Sequence, residues 1–322
     1  MSLNIAHVYF FVQKEINLLN AKLKTLSTGE YKLVSDITLH VAQKGKRVRP
    51  ALLFLIAKSF GIKDVNAIVN SAFAIEMIHT ASLLHDDVVD GSGKRRGKKT
   101  ANILWGNKET ILVGDYLFTQ SFLAVVELQN SEAVQIIAES SSKLTIGEIT
   151  QLENERNISL TFDEYLVVIY HKTASLFEAS AKLGSVFSNS NKIRECGNFG
   201  KNIGMAFQMM DDILDYAGSQ ALGKDIGVDF REKKVTLPIL ILLQNTDKSE
   251  TKIIKQYFQK SGEMQIAQIH DLMNRYDVLT KCHNFMNTYI EDANKFIMHE
   301  IPCSKTQEML LTLLNFFTKR NF

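Results

Sequence analysis

Two copies of one acidic pattern are the residues of this chain best suited to chemistry. DDVVD occupies residues 86–90 and DDILD occupies residues 211–215, each directly after an apolar segment with helical periodicity. On a helix, the first and last aspartates of each copy lie on one face. Three carboxylates within little more than one turn repel one another unless solvent or a hard divalent cation neutralises them. Two such clusters on facing helices would form a Mg²⁺ site with room for a polyphosphate.

Dense groups of basic residues accompany the first copy. GKRVRP stands upstream at residues 45–50, and the loop sequence GSGKRRGKKT follows at residues 91–100. His79 precedes Asp86 by seven residues, so it lies two turns away on about the same helix face. Arginine offers the bidentate contacts that phosphate geometry favours, so these groups indicate direct binding of an anionic ligand.

The surroundings of the second copy extend this pattern. Gln208 shares a helix face with Asp211, and Lys224 and Lys234 follow in a polar loop that contains glycine. Carboxylates for metal ions beside separate cations imply two anionic ligands, one bound through Mg²⁺ and one bound directly. No Ser-His-Asp set or reactive cysteine is evident, which favours electrostatic activation of a leaving group over covalent catalysis. Apolar helices around the clusters could shield a cationic carbon from water.

Helices must position these residues. Only three prolines occur in 322 residues, which favours a mostly helical chain. Pro50 suits the first turn of a helix that Gly61 ends, and residues 64–90 read as one long apolar helix carrying the first cluster. Residues 192–217 read as the helix of the second cluster, and the capping-box sequence at 161–164 opens a helix that runs to about residue 186. Further helices are predicted at residues 5–26, 107–129 and 131–156 and after 235, with loops at 91–100 and 218–234.

Bulk properties exclude several classes of protein. The net charge of +2 gives no global field that would attract nucleic acid. Cys196, Cys282 and Cys303 are far apart and lack CxxC spacing, which argues against a zinc site or a disulfide framework and fits the cytoplasm. The uninterrupted apolar runs are far shorter than the ~20 residues of a membrane span, and we see no secretory signal.

In this order, the motifs resemble those of the trans-polyprenyl diphosphate synthases, the head-to-tail elongators of isoprenoid chains. The resemblance covers most of residues 40–240, and two aspartate-rich motifs together with GKRVRP form a highly specific combination. The matching segments are GKRVRP at 45–50, LLHDDVVD at 83–90, RRG at 95–97, GDYL at 114–117, Lys172-Thr173, FQMMDDILD at 207–215, Gly223-Lys224, and Lys234 with TLP at 236–238.

The resemblance implies a fold, a reaction and partners. The expected fold is all-α, a single-domain orthogonal helical bundle of the isoprenoid synthase type over residues 1–322, with the active site in a central helical cavity. The expected reaction is ionisation of an allylic diphosphate such as farnesyl diphosphate, attack by the double bond of isopentenyl diphosphate, and proton loss. The departing pyrophosphate is the expected base, and about three Mg²⁺ ions act with substrate bound. A homodimer that supplies quinone side chains is also implied, with product release to a membrane surface.

Residue roles follow from the same resemblance. The principal Mg²⁺ ligands would be Asp86, Asp90 and Asp211, supported by Asp87, Asp212 and Asp215. The isopentenyl diphosphate site would comprise Lys46, Arg49, His79 and Arg96. The allylic diphosphate site would comprise Arg95, Lys172, Thr173, Gln208, Lys224 and Lys234. Thr173 and Gln208 would present oxygens to the cationic carbon, and the groups taken as catalytic are Lys172, Thr173, Gln208, Asp86, Asp90 and Asp211.

Four further residues bear on specificity and on departures from the family. Ala81 and Ser82 precede the first cluster by one turn, where this family gates its product tunnel, and their small side chains imply a long product, about heptaprenyl to octaprenyl. Lys99 stands where the family usually has proline, and Lys233 stands where it often has glycine. Neither change removes a ligand, so we expect altered loop dynamics at most.

Several alternatives stay open. A class I terpene cyclase or a head-to-head synthase also uses aspartate-rich motifs and Mg²⁺, but GKRVRP and the arginine pair speak against a cyclase. A regulatory subunit of a heteromeric synthase tends to lose its aspartates, whereas all six are present here. A synthase with a farnesyl or geranylgeranyl product, or the catalytic subunit of a heteromer, remains an alternative to the long-chain homodimer.

Overall fold

A computed structural model describes residues 4–27, 31–42, 45–95, 97–217, 227–259, 266–302 and 304–318. Within these ranges the chain is helical apart from one short ribbon of two strands, which confirms the all-α class. The helices are α1 (Ile5–Phe11), α2 (Gln13–Ser27), α3 (Lys32–Ala42), α4 (Val48–Phe60), α5 (Val65–Val89), α6 (Ala101–Trp105), α7 (Asn107–Val126), α8 (Ser131–Glu153), α9 (Phe162–Ile169), α10 (Ser175–Val186), α11 (Ile193–Ala217), α12 (Val228–Arg231), α13 (Leu237–Asn245), α14 (Lys248–Gln259), α15 (Ile266–Arg275), α16 (Val278–Glu300) and α17 (Ser304–Thr318).

The chain divides into two compact units. The first unit comprises Met1–Ser141, Leu176–Gly200 and Ile297–Leu313. The second unit comprises Ser142–Ser175, Lys201–Phe296 and Leu314–Phe322. The single domain over residues 1–322 stays a prediction.

The core of the first unit is built on α4 and α5. Both helices are apolar on nearly all sides, as a helix enclosed by other helices must be. The carboxylate of Asp64 caps α5 by accepting a hydrogen bond from the main-chain N–H of Ala67 at 3.0 Å. Among the described residues α5 is the one helix long and apolar enough to cross a membrane, and 83% of its most apolar window is buried inside the protein. The long helix predicted to carry the first cluster is confirmed.

A small ribbon follows α5 where a plain loop is predicted. β1 (Lys94–Arg95) pairs antiparallel with β2 (Lys98–Lys99), so that Lys94 lies opposite Lys99. Gly97 in the turn has φ +77°, a conformation that glycine adopts without strain. The prediction missed these strands because lysine and arginine have low strand propensity.

The predicted helix at 161–186 contains one turn of π-helix. Its capping box is confirmed, because the main-chain N–H of Glu164 donates to Thr161 Oγ1 and the N–H of Thr161 donates to Glu164 Oε2. A turn of π-helix at Tyr170–Ala174 then separates α9 from α10. The predicted helix to about residue 186 is confirmed, but its π-helical turn was not predicted, since an inserted residue leaves the apolar periodicity on either side intact.

The core of the second unit surrounds α11. Met205, Met209 and Ile213 are buried on one side of this helix, in one cluster with Leu237 of α13 and Phe258 of α14. Residues 218–226 lie outside the described residues, and α12 follows them directly. The predicted helix at 192–217 is confirmed, and it carries the second acidic cluster on its final turns.

Candidate active site

The first cluster, Asp86, Asp87 and Asp90, lies at the C-terminal end of α5. Asp87 is buried at 2% exposure, Asp86 is half-buried and Asp90 is exposed. The Nε of Arg95, in β1, donates to Asp87 Oδ1 at 2.7 Å. Burial raises the pKa of Asp87, and the hydrogen bond and charge of Arg95 oppose that rise. A cation from the following ribbon therefore balances the buried member of this cluster.

His85 fastens the first cluster to α7. Its Nε2 lies 3.2 Å from the carbonyl oxygen of Ile111 and 3.4 Å from Asp115 Oδ1. The ring also stacks on Phe118, with 6.3 Å between centroids. A Cβ at Gly114 would lie 2.2 Å from this same Nε2. The GDYL motif thus contributes the space, at Gly114, and one of the partners, Asp115, of the residue next to Asp86.

The described members of the proposed isopentenyl diphosphate site lie in the first unit. Lys46 is exposed, and Arg49, in the first turn of α4, places its guanidinium carbon 4.5 Å from the ring centroid of Phe177. His79 is half-buried on α5, and its main-chain carbonyl accepts a hydrogen bond from Ser82 Oγ at 2.9 Å. Arg96 lies outside the described residues.

The two proposed gate residues are buried in α5. Ala81 has 0% exposure and Ser82 has 9%. Both are enclosed on the helix that carries the first cluster, which agrees with their being small, but their role as the gate stays a prediction.

A chain of side-chain hydrogen bonds defines the site in the second unit. Thr173 Oγ1 donates to Gln208 Oε1 at 2.7 Å, and Gln208 Nε2 donates to Asp212 Oδ1 at 2.9 Å. The Tyr165 hydroxyl donates to Asp212 Oδ2 at 2.7 Å. These hydrogen bonds fix the orientation of the Gln208 amide, because its oxygen accepts from Thr173 and its nitrogen donates to Asp212. Tyr165 was missed in the sequence, where an aromatic residue in an amphipathic helix gives no signal beyond that of the core.

In the second cluster, Asp211, Asp212 and Asp215, neutral groups donate hydrogen bonds to Asp212 and Asp215. Burial raises the pKa of Asp212, and the charge of Asp211 adds to this, while the hydrogen bonds from Tyr165 and Gln208 oppose it. Asp215 accepts the main-chain N–H groups of Val228 and Asp229, each at 3.0 Å, yet burial still raises its pKa.

Asp229 adds a further acidic group beside the second cluster. Burial raises the pKa of Asp229, and the charges of Asp212 and Asp215 raise it further. Its main-chain carbonyl accepts a hydrogen bond from the N–H of Lys234 at 2.8 Å. This region therefore holds more carboxylate than its protein donors neutralise, which favours uptake of protons or of a cation.

A cavity of about 210 Å³ in the second unit brings together much of the predicted allylic site. Lys172 Nζ lies 2.6 Å from Glu148 Oε2, and Lys234 Nζ lies 2.8 Å from Glu232 Oε2, so both cations have a carboxylate partner. Lys224 lies outside the described residues. The predicted site residues that line the cavity are Lys172, Thr173, Gln208, Asp212 and Lys234.

The π-helical turn makes a close contact with α8. A Cβ at Gly147 would lie 2.7 Å from the main-chain nitrogen of Lys172 and 2.9 Å from the Cβ of His171. Glu148, the next residue of α8, is the partner of the Lys172 ammonium. Both the backbone and the side chain of Lys172 are thus positioned by two neighbouring residues of α8, a pairing that no sequence motif announced.

The carboxylate oxygens of the two clusters are ligands of the type that Mg²⁺ prefers. Among the described residues, no group of three or more His, Cys, Asp or Glu side chains could hold a metal ion by itself. Mg²⁺ is commonly held by one or two carboxylates plus phosphate oxygens of a substrate. Asp87 and Asp212 are buried, Asp86, Asp211 and Asp215 are half-buried, and Asp90 is exposed. The ranking of principal and supporting ligands stays a prediction.

Comparisons with known proteins agree on one family and one fold. The family model for polyprenyl synthetases matches residues 31–275. The chain is 32% identical to octaprenyl diphosphate synthase of Haemophilus influenzae, over 99% of this chain and 98% of the relative. A decaprenyl diphosphate synthase structure from Rhodobacter capsulatus matches with a TM-score of 0.93 and 33% identity, over 98% of this chain and 99% of that one. A Caulobacter crescentus polyprenyl synthase complexed with calcium and isoprenyl diphosphate matches with a TM-score of 0.91 and 31% identity, over 100% and 99% of the two chains.

Proposed function

Because the chain belongs to the polyprenyl synthetase family, whose members are prenyltransferases, we propose that it is a long-chain trans-polyprenyl diphosphate synthase. It joins isopentenyl diphosphate head to tail to an allylic diphosphate, farnesyl or shorter. The observation that carries this proposal is the chain of hydrogen bonds from Thr173 through Gln208 to Asp212, beside two lysines in one cavity. These groups suit a ligand that develops positive charge at a carbon and negative charge on phosphate oxygens.

The allylic diphosphate is assigned to Arg95, Lys172, Lys224 and Lys234. Bound Mg²⁺, held chiefly by Asp86, Asp90 and Asp211, would supply charge neutralisation that makes diphosphate a better leaving group. The ammonium groups of Lys172 and Lys234 exchange their glutamate partners for phosphate oxygens. Thr173 Oγ1 and the Gln208 side-chain oxygen face the allylic carbon as its bond to oxygen breaks, and their dipoles stabilise the cation.

The second substrate is assigned to the basic residues Lys46, Arg49, His79 and Arg96. These groups hold the diphosphate of isopentenyl diphosphate so that its terminal double bond faces the allylic carbon. The π electrons form the new carbon–carbon bond, and the resulting cation loses a proton to the departed pyrophosphate. Orienting two substrates in this way accounts for a large part of the rate enhancement in such condensations.

The product is assigned a length of about seven to eight isoprene units, in line with small residues at the gate. Ala81 and Ser82 leave room beneath the first cluster for a growing tail. A shorter product, farnesyl or geranylgeranyl, is the alternative. A homodimer in the cytoplasm that supplies quinone side chains completes the proposal, with a catalytic subunit of a heteromer as the alternative assembly.

One assay tests the central proposal. The purified chain alone is incubated with Mg²⁺, farnesyl diphosphate and labelled isopentenyl diphosphate, and the products are separated by length. We expect incorporation that ends at about the heptaprenyl to octaprenyl product and that chelation of Mg²⁺ abolishes. No incorporation contradicts a self-sufficient synthase, and a product that stops at geranylgeranyl contradicts the assigned length.

The gate is tested separately by Ala81→Phe. A bulky ring on this face of α5 should shorten the product and leave the first condensation within about threefold of its normal rate. Ala217→Phe, at an exposed position on α11, is the matched control and should leave the products unchanged. An unchanged distribution of products in Ala81→Phe would refute the gate assignment.

A further inference from the structure

The turn that precedes α4 is fastened to two other helices of the first unit. The phenol of Tyr9, in α1, donates a hydrogen bond to the main-chain carbonyl of Lys46. The Nη1 of Arg47, the next residue, lies 2.5 Å from Oε2 of Glu76 in α5. The turn is therefore held at two consecutive residues, once through its backbone and once through a side chain.

The ion pair between Arg47 and Glu76 is shielded from solvent. The side chain of Glu76 is 4% exposed and that of Arg47 is 15% exposed, so each charge depends on the other. Burial and the nearby charge of Glu76 raise the pKa of Tyr9 to about 12. The phenol therefore keeps its proton, and its ability to donate, throughout the neutral pH range.

The backbone of the turn requires such support. Arg47 has φ +48°, in the left-handed region that residues with a Cβ disfavour. A residue persists in this conformation only where its surroundings impose it. The hydrogen bond from Tyr9 to the carbonyl of Lys46 and the ion pair of Arg47 with Glu76 supply that constraint.

The strained residue separates two of the assigned substrate ligands. Lys46 precedes Arg47, and Arg49 follows it by two residues in the first turn of α4. The guanidinium of Arg49 is in turn seated on the ring of Phe177. A relaxation of Arg47 toward ordinary φ values would rotate the backbone of Lys46 relative to α4 and change the separation of the two cationic groups.

We propose that Tyr9 is a positioning residue for the isopentenyl diphosphate site, acting with Glu76 to hold the left-handed turn that presents Lys46 and Arg49. This role rests on the proposed function, which assigns those two cations to isopentenyl diphosphate. By this proposal α1 contributes to substrate binding, although Tyr9 lies before residues 31–275, the stretch that the family model matches.

Tyr9→Phe tests the role, because it removes one hydroxyl and keeps the ring. We expect the KM for isopentenyl diphosphate to rise about fivefold, the effect of losing one hydrogen bond, while the KM for farnesyl diphosphate and kcat stay within twofold. Tyr31→Phe is the matched control, at a tyrosine that is 61% exposed, and should change neither KM. Glu76→Gln is the second variant and should raise the same KM selectively.

The double variant separates positioning from general stability. If both residues act through one turn, Tyr9→Phe combined with Glu76→Gln raises the KM for isopentenyl diphosphate by less than the product of the two single effects. An unchanged KM in folded Tyr9→Phe overturns the role, and so does an equal loss for both substrates with a lowered Tm. If Tyr9→Phe fails to fold, the ratio of the two KM values in Glu76→Gln decides in the same way. Wild-type protein without condensation activity would instead overturn the proposed function.

Discussion

The two aspartate clusters share a sequence pattern, yet different groups balance their buried carboxylates. In the first cluster, Asp87 is paired with the guanidinium of Arg95 at 2.7 Å. In the second cluster, Asp212 is buried at 4% exposure and receives hydrogen bonds from two neutral side chains, Tyr165 and Gln208. A carboxylate paired with a cation is nearly neutral as a unit, whereas burial of one that has only neutral donors disfavours its charged form and raises its pKa.

Because of this difference, we expect the two clusters to respond differently to binding of a proton or a cation. In the first cluster, the buried carboxylate of Asp87 is balanced by Arg95, a residue of the ribbon that follows it. The second cluster and the adjacent Asp229 have raised pKa values, so their region gains most when a cation or a proton arrives. We therefore expect the second cluster to couple metal binding to proton release and to stability more strongly than the first.

The largest expected effects separate ligands from structural members within each cluster. Asp86→Ala and Asp211→Ala remove half-buried carboxylates and should each lower kcat by about a thousandfold, as loss of metal-borne charge stabilisation implies, with a change in Tm of a few degrees at most. Steady-state kinetics and thermal unfolding measure the two quantities. Asp292→Ala, at an exposed position on α16, is the control and should change neither.

Two other outcomes would contradict the assignment of Asp86 and Asp211 as metal ligands. If Asp211→Ala retained most of its kcat while Asp86→Ala lost it, the second cluster would not be a principal metal site. If both variants unfolded, these carboxylates would be structural and their role as metal ligands would be contradicted.

Regular elements were predictable from the sequence, whereas tertiary pairings were not. The bounds of α5 and α11 follow from long apolar periodicity, and α4 follows from Pro50 at its start and Gly61, with φ +83°, at its end. The aspartate pattern likewise identified both clusters, because their spacing on a helix is local information. The partner of Lys172 is a residue 24 positions away, Glu148, and nothing in either segment encodes that contact. The π-helical turn was missed because it inserts a residue without disturbing the periodicity around it.

Close contacts of glycine provide the next test, one in each unit. Gly147→Ala would press a methyl group on the main-chain nitrogen of Lys172, which cannot move without displacing the π-helical turn. We expect about 2–3 kcal/mol of destabilisation and a loss of ten- to a hundredfold in kcat. Gly114→Ala would press on the His85 ring, a side chain that can rotate away, so about 1–2 kcal/mol and a smaller loss of activity are expected.

Gly197→Ala is the control for both substitutions. The added methyl group would meet only the flexible side chain of Lys182 among its three nearest atoms, so the stability should change by less than about 1 kcal/mol. Equal losses of kcat in Gly147→Ala and Gly114→Ala would contradict the expected difference between a backbone contact and a side-chain contact.

The pH dependence of metal-free stability distinguishes the two ways of balancing charge. The folded-state pKa of Asp212 is raised above its unfolded value, so its stabilising contribution is full below about pH 4 and is lost as pH rises through the folded value. Metal-free wild-type protein should therefore lose stability between pH 5 and pH 8. Asp212→Asn should be more stable than wild type at pH 8, by roughly 1–3 kcal/mol, with the difference shrinking or reversing at pH 5.

Asp87→Asn is the matched variant in the first cluster. Burial raises the pKa of Asp87 as well, but the substitution leaves the guanidinium of Arg95 without its carboxylate, so no gain at pH 8 is expected. Thermal unfolding in the presence of a chelator from pH 5 to pH 8 measures both variants. Stabilisation of Asp87→Asn equal to that of Asp212→Asn would contradict the assigned difference between the clusters.

The smallest expected effect concerns Lys233, which stands near the second cluster where the family often has glycine. Its φ of +58° is a strained value for lysine, and Lys233→Gly should gain about 1 kcal/mol from relief of that strain. The substitution also loses the position of Lys233 Nζ over the Tyr257 ring, 5.0 Å from its centroid, and adds chain entropy to the unfolded state. These losses nearly cancel the gain, so Tm should change by a degree or less and kcat by less than about threefold. Gln129 also has a left-handed backbone, with φ +50°, and lies outside both clusters. The change in Tm of Gln129→Gly therefore measures the effect of relieving this strain by itself. A tenfold change in kcat in Lys233→Gly alone would show that the lysine at this position takes part in catalysis.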